Sequence, residues 1–423
     1  MPMFCDDGPL LPGADAGPGS PSQLARVVGL GLSFLFIFMS FNAAQNFQTS
    51  GYDPRVGSLA LGLLYSVFTV SNLVSAQAVR RLGLRRSLFL GSLTYVAFVT
   101  ANAFYRPWFV YLSSALLGFG AALLWTAQGS FVVRCSRADD HLNRKVPGSS
   151  LGKFNGVFFA LFQANQFLGN ALVAIMFNYN ESPATIFTVC AFVCALGALS
   201  ILLLNPPPNA AVDTESVSLS AIVRSVVTNM GDRRLLLLVP YILLNGATQS
   251  FIVGDVAALA QTNSIRFFVM AAWGAFDALA SLSLGRIADT AGRIPVILLG
   301  IATQSAISGY LYQGSDQGFS FEFLIGVAAC FGVVDAVYNT TVYAILGSMF
   351  PDAEAACANF KLFQSGMMAV VFFVRSWTTL TSRICIIAAL ILASAGTLTI
   401  LHKFVHSIEK HPASSEQDRS RSP

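Results

Sequence analysis

Most of this chain consists of long apolar stretches separated by short polar ones, and each stretch has about the length of a membrane-spanning helix. A helix needs roughly 20 mainly apolar residues to cross the hydrocarbon core of a bilayer. Hydrophobic residues make up 54% of the 423 residues and charged residues only 11%, whereas soluble domains carry roughly 25% charged residues. The sequence therefore predicts an integral, multi-pass, all-α membrane protein embedded in the lipid bilayer. It does not distinguish the plasma membrane from an internal one.

The apolar stretches predict twelve spans in two sets of six. The predicted spans are residues 27–47, 57–79, 87–104, 108–132, 154–177, 184–204, 235–259, 265–285, 295–313, 322–348, 358–376 and 384–402. The third, with 18 residues, is the shortest, and the ninth is one of three with 19. The predicted domains are a disordered tail (1–25), an N-terminal six-helix half (26–204), a cytosolic linker (205–233), a C-terminal six-helix half (234–402) and a second disordered tail (403–423).

Basic residues are concentrated in alternate loops, which predicts the orientation of the chain. Four arginines follow the second predicted span, and a further basic group follows the fourth. Because cytoplasmic loops carry an excess of Lys and Arg, these loops and both termini are expected to face the cytosol. The net charge of +4 is spread over many short loops. It therefore gives no indication of nucleic-acid binding.

An internal repeat relates the two sets of spans. Span 1 contains FNAAQNF from Phe41, and span 7 contains LNGATQSF from Leu244. Span 5 contains ALFQA from Ala160, and span 11 contains KLFQS from Lys361. The two separations are about 203 and 201 residues. A nearly constant offset at equivalent helices indicates a duplicated six-helix unit.

A candidate gating motif follows span 8. The residues Gly285, Asp289, Gly292 and Arg293 form the pattern GxxxDxxGR. Gly285 permits close helix contact, and Gly292 permits a tight turn. The Asp289 carboxylate can cap a helix or pair with an arginine.

A degenerate copy of this motif follows span 2. The turn glycine Gly83 and the basic pair Arg85 and Arg86 are present, but Arg80 stands where the second copy has its acid. A basic cytosolic turn without a gating role explains this first copy equally well.

The motif GxxxDxxGR at this place in a six-plus-six protein resembles the major facilitator superfamily. Other strings narrow the resemblance: LWTAQG from Leu124, YILLNGATQSFIVGD from Tyr241, GVVDAVYNT from Gly332 and FKLFQS from Phe360. Together they resemble the Unc-93-like family, closest to its orphan branch of major-facilitator-domain-containing carriers. The resemblance covers residues 27–402. It implies the major facilitator fold, with twelve transmembrane helices in two halves and both termini cytosolic.

Apart from Glu322 at the first position of span 10, three acidic residues fall inside predicted spans of the second half, and none falls inside the first six. They are Asp255 near the outer end of span 7, Asp277 in span 8 and Asp335 in span 10. An ionisable group in lipid costs several kcal/mol unless it is paired or hydrated, so each is a candidate for proton coupling. Hydrogen bonding to neighbouring helices or a position at the lipid headgroups is the alternative for each.

Uncharged polar residues recur on the spans that line the central cavity in the major facilitator fold. The predicted cavity and substrate residues are Asn42, Gln45, Asn46, Trp125, Gln128, Gln163, Asn245, Gln249, Asn339 and Gln364, and Asn165 and Gln166 accompany Gln163. The repeat-related pairs Asn42/Asn245 and Gln163/Gln364 favour a shared polar pocket. Interhelical hydrogen bonding is an equally common role for a single Asn or Gln.

The sequence predicts no enzyme. All four histidines lie in loops or in the C-terminal tail, so it indicates no buried general base, no metal site and no cofactor. Asn180 begins an N-glycosylation sequon in an outer loop, although Pro183 and the nearby membrane weaken it.

Two functions remain open at this stage. The first is a carrier that moves a small solute or ion by alternating access, with proton coupling at Asp277 or Asp335. The second follows from the family resemblance, because Unc-93-like proteins include regulatory or trafficking partners of ion channels and receptors. The retained second motif and the acids within the spans favour the carrier.

Overall fold

A computed structural model describes residues 22–49, 51–146, 149–205, 231–291, 293–314, 319–349 and 353–410. Within these ranges the chain is almost entirely helical. The α-helices are α1 (Gln23–Gln48), α2 (Pro54–Leu82), α3 (Leu84–Ala103), α4 (Pro107–Leu142), α5 (Leu151–Asn178), α6 (Pro183–Leu203), α7 (Arg233–Phe251), α8 (Asn263–Ala291), α9 (Arg293–Gln313), α10 (Phe321–Met349), α11 (Ala353–Arg375) and α12 (Leu380–Lys410). A π-helical turn, Ile252–Val256, and a 3₁₀ turn, Ala257–Leu259, continue α7.

Short polar signals set where the helices begin. Three helices start at a proline, which supplies the right φ and lacks the N–H that a first turn cannot pair. Before Pro54, the Asp53 carboxylate accepts hydrogen bonds from the main-chain N–H groups of residues 55 and 56, at 2.9 and 3.3 Å. Before Pro183, the Ser182 hydroxyl accepts from the N–H of Thr185 at 3.2 Å. Side-chain capping of this kind satisfies N–H groups that the helix leaves unpaired.

An ion pair fixes the start of α7. Asp232 caps the helix by accepting from the main-chain N–H of Arg234 at 2.8 Å, and its carboxylate also pairs with the Arg234 guanidinium at 2.6 Å. The hydrogen-bonded guanidinium holds the pKa of the Asp232 carboxyl below its usual range. The same guanidinium donates to the carbonyl oxygen of Met349 at 2.7 Å. This joins the beginning of α7 to the end of α10.

Ten of the described helices are long and apolar enough to cross a membrane. α3, which corresponds to the shortest predicted span, falls short of that measure. The side chains of α11 are described without a gap only over residues 359–375, a run too short for the same measure. The predicted ninth span is among the ten as α9. The chain is thus a multi-pass helical membrane protein.

The helices group into two compact units. Unit 1 contains α1–α6 and the start of α8 (Gln261–Ala275), and unit 2 contains α7, the remainder of α8 from Phe276, and α9–α12. In unit 1, α1 packs on α5 and α6, and α3 packs on α4 and α6. In unit 2, α7 packs on α11 and α12, and α9 packs on α10 and α12. These are equivalent pairs in the two sets of six, which is the internal repeat that the sequence predicted.

The first and fifth helices of each set approach so closely that glycine is required. In unit 1, a Cβ on Gly169 of α5 would overlap the carbonyl oxygen of Met39 in α1. In unit 2, a Cβ on Gly246 of α7 would lie 2.5 Å from the carbonyl oxygen of Gln364 in α11. Small residues at membrane helix contacts allow backbones to approach in this way. The polar side chains of these helices are thereby brought within hydrogen-bonding range.

The helical ends differ from the predicted tails. α12 continues to Lys410, beyond the predicted start of the C-terminal tail at 403. α1 begins at Gln23, inside the predicted tail 1–25. The rest of both tails and residues 206–230 of the predicted linker lie outside the described residues.

The close approach of α1 and α5 yields a testable contrast between two glycines of one helix. Gly169→Ala should lower the apparent melting temperature of the purified protein, because overpacking costs about 1–3 kcal/mol. Gly156→Ala is the matched control. A Cβ at Gly156 meets no atom within 4 Å, and alanine favours a helix by up to about 1 kcal/mol over glycine. Equal melting temperatures for the two variants would contradict the described packing of α1 on α5.

Candidate functional site

A buried carboxylate lies at the centre of a hydrogen-bonded group in unit 2. Asp335 of α10 is 4% exposed. Its Oδ1 accepts a hydrogen bond from the side-chain amide of Gln249 in α7 at 3.0 Å and another from Asn339, one turn further along α10, at 3.0 Å. All three were predicted from the sequence as site residues. The amides supply the polar partners that lipid cannot provide.

The remaining predicted amides of unit 2 complete the group. Asn245 is fully buried and donates to Asn339 Oδ1 at 3.0 Å. Gln364 of α11 is 4% exposed and donates to Asn245 Oδ1 at 3.2 Å and to Gln249 Oε1 at 3.3 Å. The structure therefore brings Asn245, Gln249, Asp335, Asn339 and Gln364 together, and the network joins α7, α10 and α11.

One further member of this group, Lys361, was not among the residues predicted from the sequence. Lys361 of α11 lies three residues before Gln364 and donates from its ammonium group to Gln364 Oε1 at 2.9 Å. Its Nζ also lies 4.9 Å from the ring centroid of Phe360 and 5.8 Å from that of Tyr343. The side chain is exposed. The available signal was a lysine inside a predicted span, the same signal that identified the acids. With Lys361 included, six hydrogen-bonded residues form what we call the C-terminal polar cluster: Asn245, Gln249, Asp335, Asn339, Lys361 and Gln364.

A second buried acid of unit 2, Asp277, lies outside the hydrogen bonds of the C-terminal polar cluster. It lies on α8, is largely buried, and accepts a hydrogen bond from Ser281 at 3.4 Å. When ionised, Asp277 and Asp335 carry like charges within unit 2, and the Lys361 ammonium carries the opposite charge. Two carboxylates and one ammonium leave one negative charge in excess when all three are ionised. One proton would balance it.

The amides of unit 1 form a different network. Asn42 donates to Asn165 Oδ1, and Asn46 donates to Asn170 Oδ1 at 2.9 Å, so two bonds join α1 to α5. Gln45 accepts from the Tyr65 hydroxyl of α2 at 3.3 Å. Asn170 and Tyr65 were not among the predicted site residues. In both units an amide of the first helix bonds an amide of the fifth, at the equivalent positions Asn42 and Asn245.

The other predicted residues of unit 1 have varied surroundings. Trp125 is half-buried among aromatic rings, with ring centroids 5.2 Å from Phe38 and Phe162. Gln128 is buried and Gln163 is half-buried. Gln163 and Gln364 are equivalent in the repeat, but their bonds differ. Gln364 bonds Asn245 on the first helix of its unit, whereas the equivalent Asn42 bonds Asn165.

The third predicted acid, Asp255, is paired with two arginines. It lies in the π-helical turn after α7, and its side chain is 1% exposed. Arg375 Nε lies 3.1 Å from Oδ1, and Arg383 lies 2.8 Å from Oδ1 and 3.0 Å from Oδ2. Arg375 also donates to the carbonyl oxygen of Gly254 at 2.7 Å. Pairing of this kind joins the end of α7 to α11 and α12, and it favours a structural role for Asp255 over proton coupling.

The predicted gating residues are described only in part. Gly83 joins α2 to α3 with φ of +80°, a conformation that favours glycine. Arg85 donates to the carbonyl oxygen of Leu202 at the end of α6, and Arg86 is exposed. In the second copy Arg293 is exposed at the start of α9. Gly292, the surroundings of Gly285 and the side chain of Asp289 lie outside what the structure describes.

Asn180 lies at the exposed turn between α5 and α6, with φ of +59°. The Ser182 hydroxyl of its sequon caps α6 through the N–H of Thr185. Whether Asn180 carries a glycan stays a prediction. Among the residues described, no group of three or more His, Cys, Asp or Glu could hold a metal ion.

The fold of the chain is that of known membrane transporters. A POT family transporter, solved in complex with a thioalcohol-conjugated peptide, aligns with a TM-score of 0.70 and 12% identity, over 90% of this chain and 96% of that one. The nucleoside transporter NupG aligns with a TM-score of 0.66 and 12% identity, over 90% and 98% of the two chains. At this identity the likeness shows the fold alone, which is of the major facilitator type.

The sequence also matches a family. The UNC-93 family, described as ion channel regulatory protein UNC-93, matches residues 48–267 and 313–400. UNC93-like protein 3 of Arabidopsis thaliana is 30% identical over 388 residues, which cover 84% of this chain and 81% of that protein. UNC93-like protein MFSD11 of Xenopus tropicalis is 28% identical over 421 residues, 85% and 91% of the two chains. The chain belongs to the UNC-93 family, as its motifs predicted. The family model is described as an ion channel regulatory protein, and the fold is shared with solved transporters.

The Asp255 ion pairs predict a large loss of stability. Asp255→Asn should lower the free energy of unfolding by about 3–5 kcal/mol, because it leaves buried guanidinium groups without their carboxylate. The measurement is the apparent melting temperature in detergent. The control is Lys145→Gln, which removes a half-exposed pair with Asp139 and should cost less than about 1 kcal/mol. A normally stable Asp255→Asn protein with altered proton dependence would instead support a coupling role for Asp255.

Proposed function

We propose that this protein is a carrier that moves a small solute or ion across its membrane by alternating access, in which the solute site opens to one side at a time. The observation that carries the proposal is the C-terminal polar cluster. It places amides, a carboxylate and an ammonium within one hydrogen-bonded group on predicted spans. Ionisable groups within membrane spans are costly, and those that occur commonly mark an ion or solute pathway.

The composition of the C-terminal polar cluster suits a solute site better than a purely structural contact. Packing of α7 on α11 needs only one amide pair, such as Asn245 with Gln364. The cluster adds an exposed ammonium and a carboxylate that both act on the same network. A polar surface that remains accessible can exchange water for a solute. Asn42, Gln45, Asn46, Trp125, Gln128 and Gln163 of unit 1 are proposed as further solute-facing residues.

Proton coupling is proposed to reside in Asp277 and Asp335. Both are buried in unit 2, where two like charges disfavour each other's ionised form and a single proton would relieve that cost. A group that gains a proton in one state of the carrier and loses it in another can couple solute movement to a proton gradient. Asp255, whose charge is matched by two arginines, is the weakest of the three candidates.

The membrane arrangement that accompanies this proposal has twelve spans, with α3 and α11 included and both termini in the cytosol. Alternate basic loops support the orientation. The proposed layout is two six-helix halves joined by a cytosolic linker at 205–233. The two GxxxDxxGR-like turns would then lie on the cytosolic side, where Asp289 and Arg293 could latch a closed state.

A regulatory subunit of an ion channel or receptor is the second candidate function. The family description as ion channel regulatory protein favours it, and so does Arg80 in the first gating motif, where the second has an acid. Such a protein would use the fold without moving a solute. It should co-purify with a channel or receptor in mild detergent and alter its current or surface level, and the absence of both effects would count against this function.

The carrier proposal predicts a solute-driven proton flux that depends on Asp335. The full chain is reconstituted in liposomes that contain a pH-sensitive dye, and gradients of anionic, cationic and neutral solutes are applied. At least one solute should drive proton movement, and Asp335→Asn should reduce that flux to the level of empty liposomes.

The matched control for this flux is Glu322→Gln. It makes the same change of acid to amide on α10, but at an exposed first-turn position, and should keep the flux. If no solute drives proton flux or tracer uptake through folded wild-type protein, the carrier proposal fails and the regulatory function gains support.

A further inference from the structure

We infer that the C-terminal polar cluster recognises a small organic anion, with the Lys361 ammonium as the group that binds its carboxylate. This inference rests on the carrier function proposed above and names the substrate class of the same site. It is carried by the unequal accessibility of the cluster's charges, by the direction of the Lys361 side chain and by the aromatic surface beside it.

The accessible charge of the cluster is positive. Asp335 is 4% exposed and Asp277 is 9% exposed, whereas Lys361 is exposed. Oδ1 of Asp335 already accepts two amide hydrogen bonds. A solute that reaches the cluster therefore meets an ammonium group before it meets a carboxylate, which favours an anion over a cation.

The Lys361 ammonium group can donate further hydrogen bonds. An ammonium group has three N–H donors. Within the part of the chain that the structure describes, Lys361 makes one hydrogen bond, to Gln364 Oε1 at 2.9 Å. Two donors thus remain for a ligand. A carboxylate is an acceptor-only group of matching charge, and charge-assisted hydrogen bonds of this type are about twice as strong as neutral ones.

The side chain of Lys361 is directed to the cluster and not to lipid. Its hydrogen-bond partner, Gln364, is 4% exposed and bonds Asn245 and Gln249 in turn. A lysine on a lipid-facing surface would instead extend along the helix to the headgroup region. The exposed flank of Lys361 is therefore the open side of the cluster.

The ring of Tyr343 gives the site an apolar wall. It is 43% exposed and packs edge-on against Phe360, with ring centroids 5.2 Å apart. The Lys361 Nζ lies within 6 Å of both rings. A ligand with a carboxylate on a small apolar or aromatic body would contact the ammonium and the ring at once. This arrangement is typical of ligand sites, in which a few polar groups fix orientation against apolar surface.

In the internal repeat, the lysine of this site is present in the C-terminal half and absent from the equivalent position of the N-terminal half. The string KLFQS from Lys361 matches ALFQA from Ala160, so alanine stands at the equivalent position of α5. The glutamine three residues later is kept in both strings, as Gln364 and Gln163. The C-terminal half has therefore kept the amide of the repeat and has an ammonium where the other half has a methyl group.

The test uses carboxylates and their neutral isosteres as probes. The full-length protein in detergent is titrated with acetate, lactate and benzoate, and in parallel with acetamide, lactamide and benzamide, and its melting temperature is followed. At least one carboxylate should stabilise the wild-type protein saturably, and its amide should bind at least about tenfold more weakly, which corresponds to about 1.4 kcal/mol. Benzylamine, a cation, should not bind the site.

Three variants separate the role of Lys361 from general stability. Lys361→Gln should lose at least about tenfold in carboxylate affinity, or about 1.4 kcal/mol, and Lys361→Arg, which keeps the charge, should retain part of it. Lys153→Gln removes an exposed lysine at the start of α5 and should bind as the wild type does. If Lys361→Gln lowers the melting temperature without ligand, the comparison is made between wild type and Lys361→Arg with acid and amide probes.

The binding and flux measurements together distinguish a protein that does not recognise anions from one that is not a carrier. If benzylamine or an amide binds as tightly as its carboxylate, or if Lys361→Gln keeps full carboxylate affinity, the anion inference is overturned while solute-driven flux can persist. If none of the three carboxylates binds wild-type protein but another solute drives flux that depends on Asp335, the anion inference is again overturned and the carrier function stands. Absence of every binding and flux signal would overturn both.

Discussion

The hydrocarbon core of a membrane offers no hydrogen-bonding partners, and this constraint governs where polar side chains of this protein can lie. The residues of the C-terminal polar cluster meet it by bonding one another across α7, α10 and α11. Asp335 is satisfied by Gln249 and Asn339, and Gln364 connects the amides to Lys361. Because each of these helices depends on the others for its polar partners, the network that stabilises their packing also forms the candidate site.

The charged groups of unit 2 fall into two classes with different consequences. Asp255 bonds two arginines through both carboxylate oxygens and stabilises the junction of α7, α11 and α12. The group formed by Asp277, Asp335 and Lys361 is unbalanced, and its ammonium is exposed. A matched buried pair is of structural value, while an unmatched and accessible group can take up a proton or an anion. The equivalent region of unit 1 has kept the amides without the charges.

Much of this arrangement could be predicted from residue type and spacing. Apolar length predicted the helices, and the repeated strings predicted which amides occupy equivalent positions. The partners of Asp255 could not be predicted, because Arg375 and Arg383 are more than a hundred residues away in sequence and resemble residues of a polar outer loop. Lys361 differs from the acids in that its long side chain can reach the membrane surface from within a span, so its position in the sequence does not distinguish a site residue from a surface one. The bond of Asn42 to Asn165 instead of Gln163 depends on how α1 and α5 are rotated, which spacing does not define.

The central claim is that the C-terminal polar cluster faces water and not lipid, and the rate of cysteine labelling tests it most directly. Tyr343→Cys and Val370→Cys are made in a chain whose own seven cysteines are replaced; both positions are exposed, at 43% and 52%, but only Tyr343 adjoins Lys361. The thiolate is the nucleophile that reacts with a thiol reagent, and it forms in water and not in hydrocarbon. We expect rapid labelling at position 343 in membranes and slow labelling at 370. Equally slow labelling at both would contradict the central claim.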